Sequence, residues 1–520
     1  DVYKRQQYCH TKYYLESEQP KVFIEYKQET SHNSMAKKEE SGSKAAIAAG
    51  AVIGVIGIMA LILIPLSGTS KNANKYPSRE VTVAASVSEE QSSDKSKASA
   101  TYSASFEVLI KEALGTSVSS VTEEELGRFK YLSMRKGEAG WMITYSFENP
   151  IVAAEQGQDA DINVVVCQEA LELQDIAALP QLEYLNLDHT ELPEGSLETL
   201  SSLKMITCDY IQLDMLRLAL GDAAKGLERL NASHLKSLEE LSYFPGLKSL
   251  EMEDCREISD ISALAQVKDL ENLKLYDMDE VNDFTVLNVL KKLGSLSIDA
   301  ENLKDISFIN HMPELASLGI TDSKILLLDP LVGKESLKEL VLVDNGEVRD
   351  YNPVGTLTGL ETLVINKYTN QDDPDLTALT GLKHGEFHGM MGIRFLGSLT
   401  GLEELKVQGC NVDQPSVIAS LPALKKLTYR KNGGNSDDLS FLAGCQGLTY
   451  LDMNHSEFYG DVSYAFNLPA LETLILDKSS FEVKFDRLQD NPALKALSLN
   501  HVKLYKNIEM WSDGMVRSIN

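Results

Sequence analysis

A leucine spacing repeats along most of this 520-residue chain and constrains the fold more than any other feature. The pattern is a leucine, two residues, a second apolar residue, one residue and a third apolar residue, as in "LKELVL" at 337–342. Its first leucine recurs fifteen times from Leu182 to Leu494, at steps of 20 to 24 residues, and fainter copies begin at Phe129 and Ile162. A repeat this short cannot bury its own apolar residues. Neighbouring repeats must therefore stack and share one core.

The stretch at 250–277, "LEMEDCREISDISALAQVKDLENLKLYD", shows the organisation of one repeat. A strand and a turn are followed by a run whose apolar residues, such as Ile258, Ile261 and Leu264, are expected to turn inward. This sequence resembles the leucine-rich repeat proteins, and more narrowly the short, roughly 22-residue class of bacterial internalins. The resemblance covers about 129–504. It implies an α/β repeat solenoid, a horseshoe with a parallel β-sheet on its concave face.

The chain departs from that family in the residue that follows each strand. The family has asparagine there, which ties the backbone of one coil to the next, but this chain keeps it only as Asn345 and Asn432. Elsewhere the position holds cysteine, serine or an apolar residue: Cys255, Cys410, Ser323, Ser456, Ser479, Met278 and Val502. We therefore expect an irregular ladder of contacts between coils.

A hydrophobic segment precedes the repeats. Ala45 to Leu66 contains no charged residue over 22 positions, and as a helix it would span about 33 Å, enough for the apolar core of a bilayer. We interpret it as a single-pass membrane anchor. A long cleavable signal peptide starting at Met35 is the alternative interpretation. Gly50 and Gly54 form a GxxxG spacing that could pair helices, although small residues are common in such spans.

The remaining segments complete the predicted domain organisation. Residues 1–34 are a doubtful leader, because "DVYKRQ" resembles translated adapter sequence at the edge of an assembled fragment. The expected divisions that follow are a short cytoplasmic segment (35–44), the anchor (45–66), a flexible linker (67–105), an N-terminal cap with the first coil and a hairpin insertion (106–161), the solenoid (162–504) and an incomplete C-terminal end (505–520). Thr122 and Glu125 match a capping box, and "GWMITYSF" at 140–147 is expected to form a hairpin with the segment that follows.

Composition and motifs narrow the function classes. Lys and Arg total 49 against 77 Asp and Glu, a net charge of −28, which repels nucleic acid. Motifs for a catalytic nucleophile, a phosphate loop or a metal-binding cysteine pair are missing from the sequence, so we expect no cofactor and no enzyme activity. His384 and His388 flank Glu386 on one strand face, but about 13 Å apart they are too distant to share a metal ion. The cysteines are expected to be buried free thiols.

The candidate site lies on the outward-facing positions of the strands. Most residues at the fifth position of the repeat are polar, but Gly319, Val341 and Val364 are small or apolar in three consecutive coils, with Val343 beside them. Acidic residues follow the strands in the N-terminal half, whereas basic residues are frequent in the C-terminal half. The predicted ligand-binding residues are Gly319, Val341, Val343, Val364, Tyr276, Asp299, Asp322, Asp344 and Lys406. The alternative is that valine simply suits strands and that the acids are solvated turn residues.

Together these features predict a membrane-anchored, extracytoplasmic protein of a bacterium that binds a protein partner along its concave face, for recognition or adhesion. Two alternatives remain open at this point. The chain could be a cytoplasm-facing scaffold, or the binding region of a larger enzyme whose catalytic domain lies in a missing C-terminal portion. The sequence does not predict an oligomeric state.

Overall fold

The computed structural model describes residues 102–187, 192–367, 372–434, 436–484, 487 and 491–504. Within them the chain divides at Leu379 into two compact units. The N-terminal unit comprises the described residues up to 379, and the C-terminal unit comprises those from 380 onward.

Two short helices open the N-terminal unit. Helix α1 spans Ala104–Leu114, begins two residues before the end of the predicted linker, and buries Phe106, Leu109 and Ile110 completely. It starts there because the Ser103 hydroxyl accepts a hydrogen bond from the Phe106 N–H, while the Ser103 N–H donates to Asp175 over 3.0 Å. Helix α2 spans Glu123–Leu126 and carries the predicted capping box of Thr122 and Glu125.

Three antiparallel strands follow: β1 (Tyr131–Gly137), β2 (Gly140–Ser146) and β3 (Asn163–Cys167). Helix α3 (Pro150–Glu155) lies between β2 and β3 in sequence. Strand β2 pairs with β3, as the predicted hairpin requires, and also with β1. Gly140 permits the turn, because its φ is +134° and a Cβ there would lie 2.4 Å from the carbonyl oxygen of Cys167.

The order of these strands differs from that of a solenoid whose coils stack in sequence order. Strand β1, not β3, pairs in parallel with the next strand, so that Leu132 lies opposite Leu185. The physical reason is the tight turn after Gly137, which places β2 along one edge of β1 and leaves the other edge free. Strand β3 then pairs with the far edge of β2, where Val164 and Val166 are exposed.

Nine parallel strands continue the sheet of this unit, in sequence order. They are β4 (Tyr184–Leu187), β5 (Met205–Asp209), β6 (Arg229–Ser233), β7 (Ser249–Glu253), β8 (Asn272–Leu275), β9 (Ser295–Asp299), β10 (Ser317–Thr321), β11 (Glu339–Val343) and β12 (Thr362–Asn366). The second leucine position of each repeat lies in register with the next, for example Leu296, Leu318, Leu340 and Leu363. These four leucines are completely buried and form the core of the stack.

Short helical segments return the chain between strands. The α-helices are α4 (Leu173–Ala177) and α5 (Leu213–Leu220), and a 3₁₀ segment follows α5 at Gly221–Gly226. Later coils of this unit use single 3₁₀ segments: Glu239–Tyr243, Ser262–Gln266, Thr285–Val289, Ser307–His311, Asp329–Leu331 and Asn352–Thr356. Each buries at least one apolar side chain, such as Leu264 or Leu287, because the apolar residues recur at the spacing of the coil.

The C-terminal unit repeats this architecture. Its strands are β13 (His384–His388), β14 (Glu404–Gln408), β15 (Asn411–Val412), β16 (Lys426–Arg430), β17 (Gly433–Gly434), β18 (Tyr450–Asp452), β19 (Glu457–Asp461), β20 (Thr473–Ile475), β21 (Ser480–Glu482), β22 (Ala496–Ser498) and β23 (Lys503–Leu504). Its helical segments are Arg394–Ser398, Pro415–Ser420, Leu439–Gly444 and the α-helix α6 at Ser463–Phe466. Strands β13, β14, β16, β18, β20 and β22 pair in parallel, with Leu405, Leu427, Leu451 and Leu474 in register.

The two retained asparagines connect adjacent coils as predicted. The Nδ2 group of Asn345 donates to the carbonyl oxygen of Ile320 over 2.8 Å, and that of Asn432 donates to Val407 over 3.1 Å. Serine makes a similar connection at Ser479, whose hydroxyl donates to the carbonyl oxygen of Met453 over 2.7 Å. A shorter polar side chain can therefore replace asparagine at this position.

Two further predictions concern the cysteines and the membrane anchor. Cys167, Cys208, Cys255, Cys410 and Cys445 are free and buried, as expected. Over the residues that the structure describes, no helix has the length and apolar character needed to cross a membrane. The predicted anchor at 45–66, the leader, most of the linker and the segment 505–520 lie outside those residues.

Candidate ligand-binding face

The candidate site lies on the side of the N-terminal sheet that faces away from the leucine core, which we call the outer sheet face. Leu340 and Leu342 of β11 are completely buried, whereas Val341 and Val343 are only partly buried on the opposite side. Gly319, Val341 and Val364 are paired in register on β10, β11 and β12. The structure therefore brings the four central residues of the predicted site together on one surface.

Acidic residues lie where the strands end. Asp277, Asp322 and Asp344 adopt positive φ angles of 55°, 45° and 56° in the turns after their strands. Aspartate tolerates this left-handed conformation better than most residues, so backbone geometry gives a reason for the acids that is independent of any ligand. The same turn position also holds Tyr210, His234, Lys431, His455, Lys478 and His501. Turn conformation alone therefore does not determine the charge.

Asp299 is the last residue of β9 and is partly buried. Burial, together with the negative charges of Asp277 and Asp322, raises its pKa to about 7. A carboxyl group with this pKa exchanges its proton near neutral pH. Mutual repulsion among these acids is thus relieved in part by protonation, before any cation approaches.

Tyr276 also contributes to the outer sheet face. It follows β8, is partly buried, and has a pKa raised by burial and by the negative charge of Glu251. The neighbouring Lys274 forms an ion pair with Glu251 over 3.4 Å. The predicted residues of the N-terminal unit thus occupy β8 to β12 and the turns after them.

Lys406 belongs to the C-terminal unit, where it has a partner within the protein. Its Nζ donates to Oε2 of Glu386 over 3.0 Å, and Oε1 of the same carboxylate lies 2.7 Å from Nε2 of His388. Burial favours a higher pKa for Glu386, but the hydrogen bond from His388 and the charge of Lys406 outweigh it and lower the pKa to about 2. Lys406 therefore stabilises a partly buried carboxylate.

The outward strand residues do not form a metal site in this region. His384, Glu386 and His388 share one strand face as predicted, but Glu386 is paired with His388 and Lys406, and Nδ1 of His384 lies 3.9 Å from Glu404. Among the described residues, no three His, Cys, Asp or Glu side chains are grouped closely enough to hold a metal ion.

Sequence reasoning missed a second outward position, the third residue of each repeat. Five residues there are paired in register on β7 to β11, and we call them the polar row: Ser249, Asn272, Ser295, Ser317 and Glu339. The signal was present as a run of uncharged polar residues ending in one acid.

Several solved structures of known proteins match part of this chain. No protein-family model matches the sequence, and the search of curated proteins found no significant relative. Similar solved structures include an internalin (InlF) of Listeria monocytogenes, with 22% identity over 55% of this chain and 84% of that one and a TM-score of 0.45. Another is a leucine-rich repeat protein of Leptospira interrogans, with 16% identity, 59% and 92% coverage and a TM-score of 0.43.

A third is the functional domain of InlJ from Listeria monocytogenes, with 16% identity, 68% and 69% coverage and a TM-score of 0.36. The in-register leucines on successive parallel strands decide the architecture. The chain has the leucine-rich repeat fold. Internalins are among its structural neighbours, as the sequence resemblance predicted. The likeness is one of leucine-rich repeat architecture, and the ligand must be inferred from the side chains of this chain.

Proposed function

We propose that this leucine-rich repeat protein is a membrane-anchored, extracytoplasmic binding protein that recognises a protein partner on the outer sheet face of its N-terminal unit. The observation that carries the proposal is the apolar group Val341, Val343 and Val364 beside Gly319, on the side of the sheet that the core does not use. The core is complete without these side chains, because Leu340 and Leu342 fill it from the same strand.

Apolar residues that are partly open to solvent lose water when a partner covers them, and binding energy usually concentrates where such residues are surrounded by charge. Asp299, Asp322 and Asp344 supply that charge in the next strand and turns. A partner with an apolar centre and a basic rim would fit both features. Its association would weaken as salt concentration rises.

The test is the double variant Val341→Glu with Val343→Glu. Both side chains point away from the core, so the variant should fold with an almost unchanged thermal unfolding midpoint. We expect the immobilised double variant to capture at least tenfold less cell-surface protein than the immobilised unaltered protein. Quantitative mass spectrometry of the bound material measures the difference. The matched control is Asn186→Glu with Ser498→Glu, at outward positions on β4 and β22. Equal loss in the control would rule out the central site.

Protease treatment of intact cells tests separately on which side of the membrane the binding unit lies. An extracytoplasmic unit is digested while the cells remain sealed. Protection until the cells are lysed would favour the cytoplasm-facing scaffold instead.

A further inference from the structure

Several polar atoms on the outer sheet face are buried without a hydrogen-bond partner in the protein. They are Oδ1 of Asn231, Oγ of Ser249, Oδ1 of Asn272 and Oε1 of Glu339. The last three belong to the polar row, which crosses five neighbouring strands over roughly 19 Å. Buried polar atoms in proteins are nearly always paired, so three unpaired atoms in one row require an explanation.

Glu339 is the most informative member of the row. Its residue is only 5% exposed, and one carboxyl oxygen, Oε2, accepts a hydrogen bond from Ser317 over 2.8 Å, whereas Oε1 has none. Burial raises the pKa of Glu339, while the Ser317 hydrogen bond and the positive charge of Lys274 oppose that rise. Ser249, at the other end of the row, is also 5% exposed with an unpaired hydroxyl.

The residues beside Glu339 toward β9 have small side chains. Ser295 on β9 and Ser317 on β10 have short side chains, and Gly319 on β10 has none. The Glu339 carboxyl group leans toward these small residues, because Ser317 is its hydrogen-bond donor. Val341 lies two residues along β11 on the same face and offers an apolar contact.

The missing partners of Glu339 and Asn272 are hydrogen-bond donors. An ionised carboxylate only accepts hydrogen bonds, and the unpaired atom of Asn272 is its amide oxygen. Arginine and lysine are the cationic side chains that donate hydrogen bonds without accepting any, and arginine has a flat group that can serve two acceptors at once.

We propose that the polar row binds an arginine side chain of the partner, with its guanidinium group on Glu339 and its methylene groups along Val341. The inference rests on the proposed function and names the chemistry that the partner must bring. Oε1 of Glu339 has almost no contact with solvent, so side chains around the row shift when the guanidinium enters. The new hydrogen bond then satisfies an atom that is unpaired in the free protein.

The test uses a fluorescein-labelled nona-arginine peptide as the probe, with fluorescence anisotropy in 150 mM NaCl. A nona-citrulline peptide is the matched probe, because citrulline keeps the shape of arginine without its charge. We expect the protein to bind the arginine peptide and Glu339→Gln to weaken that binding at least tenfold. The control Glu347→Gln, an exposed turn residue, removes the same charge and should change the affinity less than twofold.

Asn272→Ala provides a second arm for another arginine of the peptide, because Asn272 lies three strands and roughly 14 Å from Glu339. The substitution removes an acceptor without changing the net charge. We expect a threefold or greater loss of affinity. Equal effects of Glu339→Gln and Glu347→Gln would mean diffuse charge attraction and overturn the proposal. So would equal binding of the citrulline peptide, or no binding of the arginine peptide to the unaltered protein.

Folding of the variants is checked by their thermal unfolding midpoints, and Glu339→Gln should not lower the midpoint, since it removes a buried, half-paired carboxylate.

The two proposals can fail separately. If the valine double variant abolishes partner capture but Glu339→Gln and Asn272→Ala leave peptide binding intact, the recognition face stands and the arginine assignment falls. If the reverse holds, the polar row binds cations and the valines are not the centre of recognition.

Discussion

Asn345 accepts two hydrogen bonds from Ser323 in the preceding coil, one from its N–H over 3.2 Å and one from its hydroxyl over 2.6 Å. With its own donation to Ile320, the asparagine side chain holds two turns of the stack together while only 2% exposed. The partners in the neighbouring coil are buried as well. Losing the asparagine would remove these three hydrogen bonds from a buried site.

Replacement of Asn345 by alanine should therefore lower the free energy of unfolding by about 3 kcal/mol, because three hydrogen bonds are lost in a buried site. Urea denaturation followed by circular dichroism measures the change. Asn310→Ala, at an exposed position of the same unit, is the control and should be close to neutral. A loss below 1 kcal/mol in Asn345→Ala would show that the connection between coils does not depend on this side chain.

Asp299 should make the stability of the N-terminal unit depend on pH. Its pKa is about 7 in the folded protein, above its ordinary value of 3.8, so the folded state binds more protons between those values. The free energy of unfolding should accordingly fall as the pH rises from about 4 to 7. Asp299→Asn should remove this part of the dependence and raise the stability at pH 8 by on the order of 2 kcal/mol.

Denaturation at pH 5 and pH 8 checks this prediction, with Glu314→Gln as a control that removes one exposed charge. If Asp299→Asn and Glu314→Gln change the difference in unfolding free energy between pH 5 and pH 8 equally, the acids in the turns act only through net charge.

Lys406 offers a prediction about the C-terminal unit. The lowered pKa of Glu386 means that its charged form stabilises the fold above about pH 4.5, and that this contribution is lost as the pH falls toward 2. Lys406→Met should destabilise the protein by about 2 kcal/mol at pH 7, because the carboxylate then keeps only His388 as a hydrogen-bond partner.

Nuclear magnetic resonance titration of the Glu386 carboxyl carbon should show its pKa rising in Lys406→Met. Lys495→Met, which removes an exposed ion pair with Glu472, is the matched control. An unchanged Glu386 pKa would mean that Lys406 is available for a ligand, as the sequence suggested.

Deletion of residues 45–66 should move the protein from the membrane fraction to the soluble fraction without unfolding it, because the repeats supply their own core. Ultracentrifugation of lysates and circular dichroism of the soluble product measure the two parts. Release of the full-length protein from membranes by salt alone would argue against an anchor.

Reducing agent should leave the thermal unfolding midpoint within about 1 °C, since the five cysteines that the structure describes are free and buried. Differential scanning fluorimetry with and without dithiothreitol is sufficient. A fall of several degrees in the unfolding midpoint would indicate a disulfide, which the described cysteines do not form in this structure.

The leucine spacing predicted the repeated parallel strands and the outward direction of Val341 and Val343, because strand alternation follows directly from which residues the core can use. It did not predict that β1 would pair with β4 while β3 lies at the edge, since a short hairpin turn, not the repeat, decides that order. The pairing of Lys406 with Glu386 was also missed. Residues twenty positions apart become neighbours only when the register of two strands is known, and their contact then depends on side-chain conformation.

The strand order of the N-terminal unit also determines where the chain can be cut. A truncated protein beginning at 162, the predicted start of the solenoid, would lose β1 and β2 and leave β3 without its pairing strand. The edge of β4, normally covered by β1, would then be bare and free to pair with other molecules. The smallest fragment of this unit suited to expression and crystallisation should therefore start no later than Tyr102, ahead of the serine that caps α1.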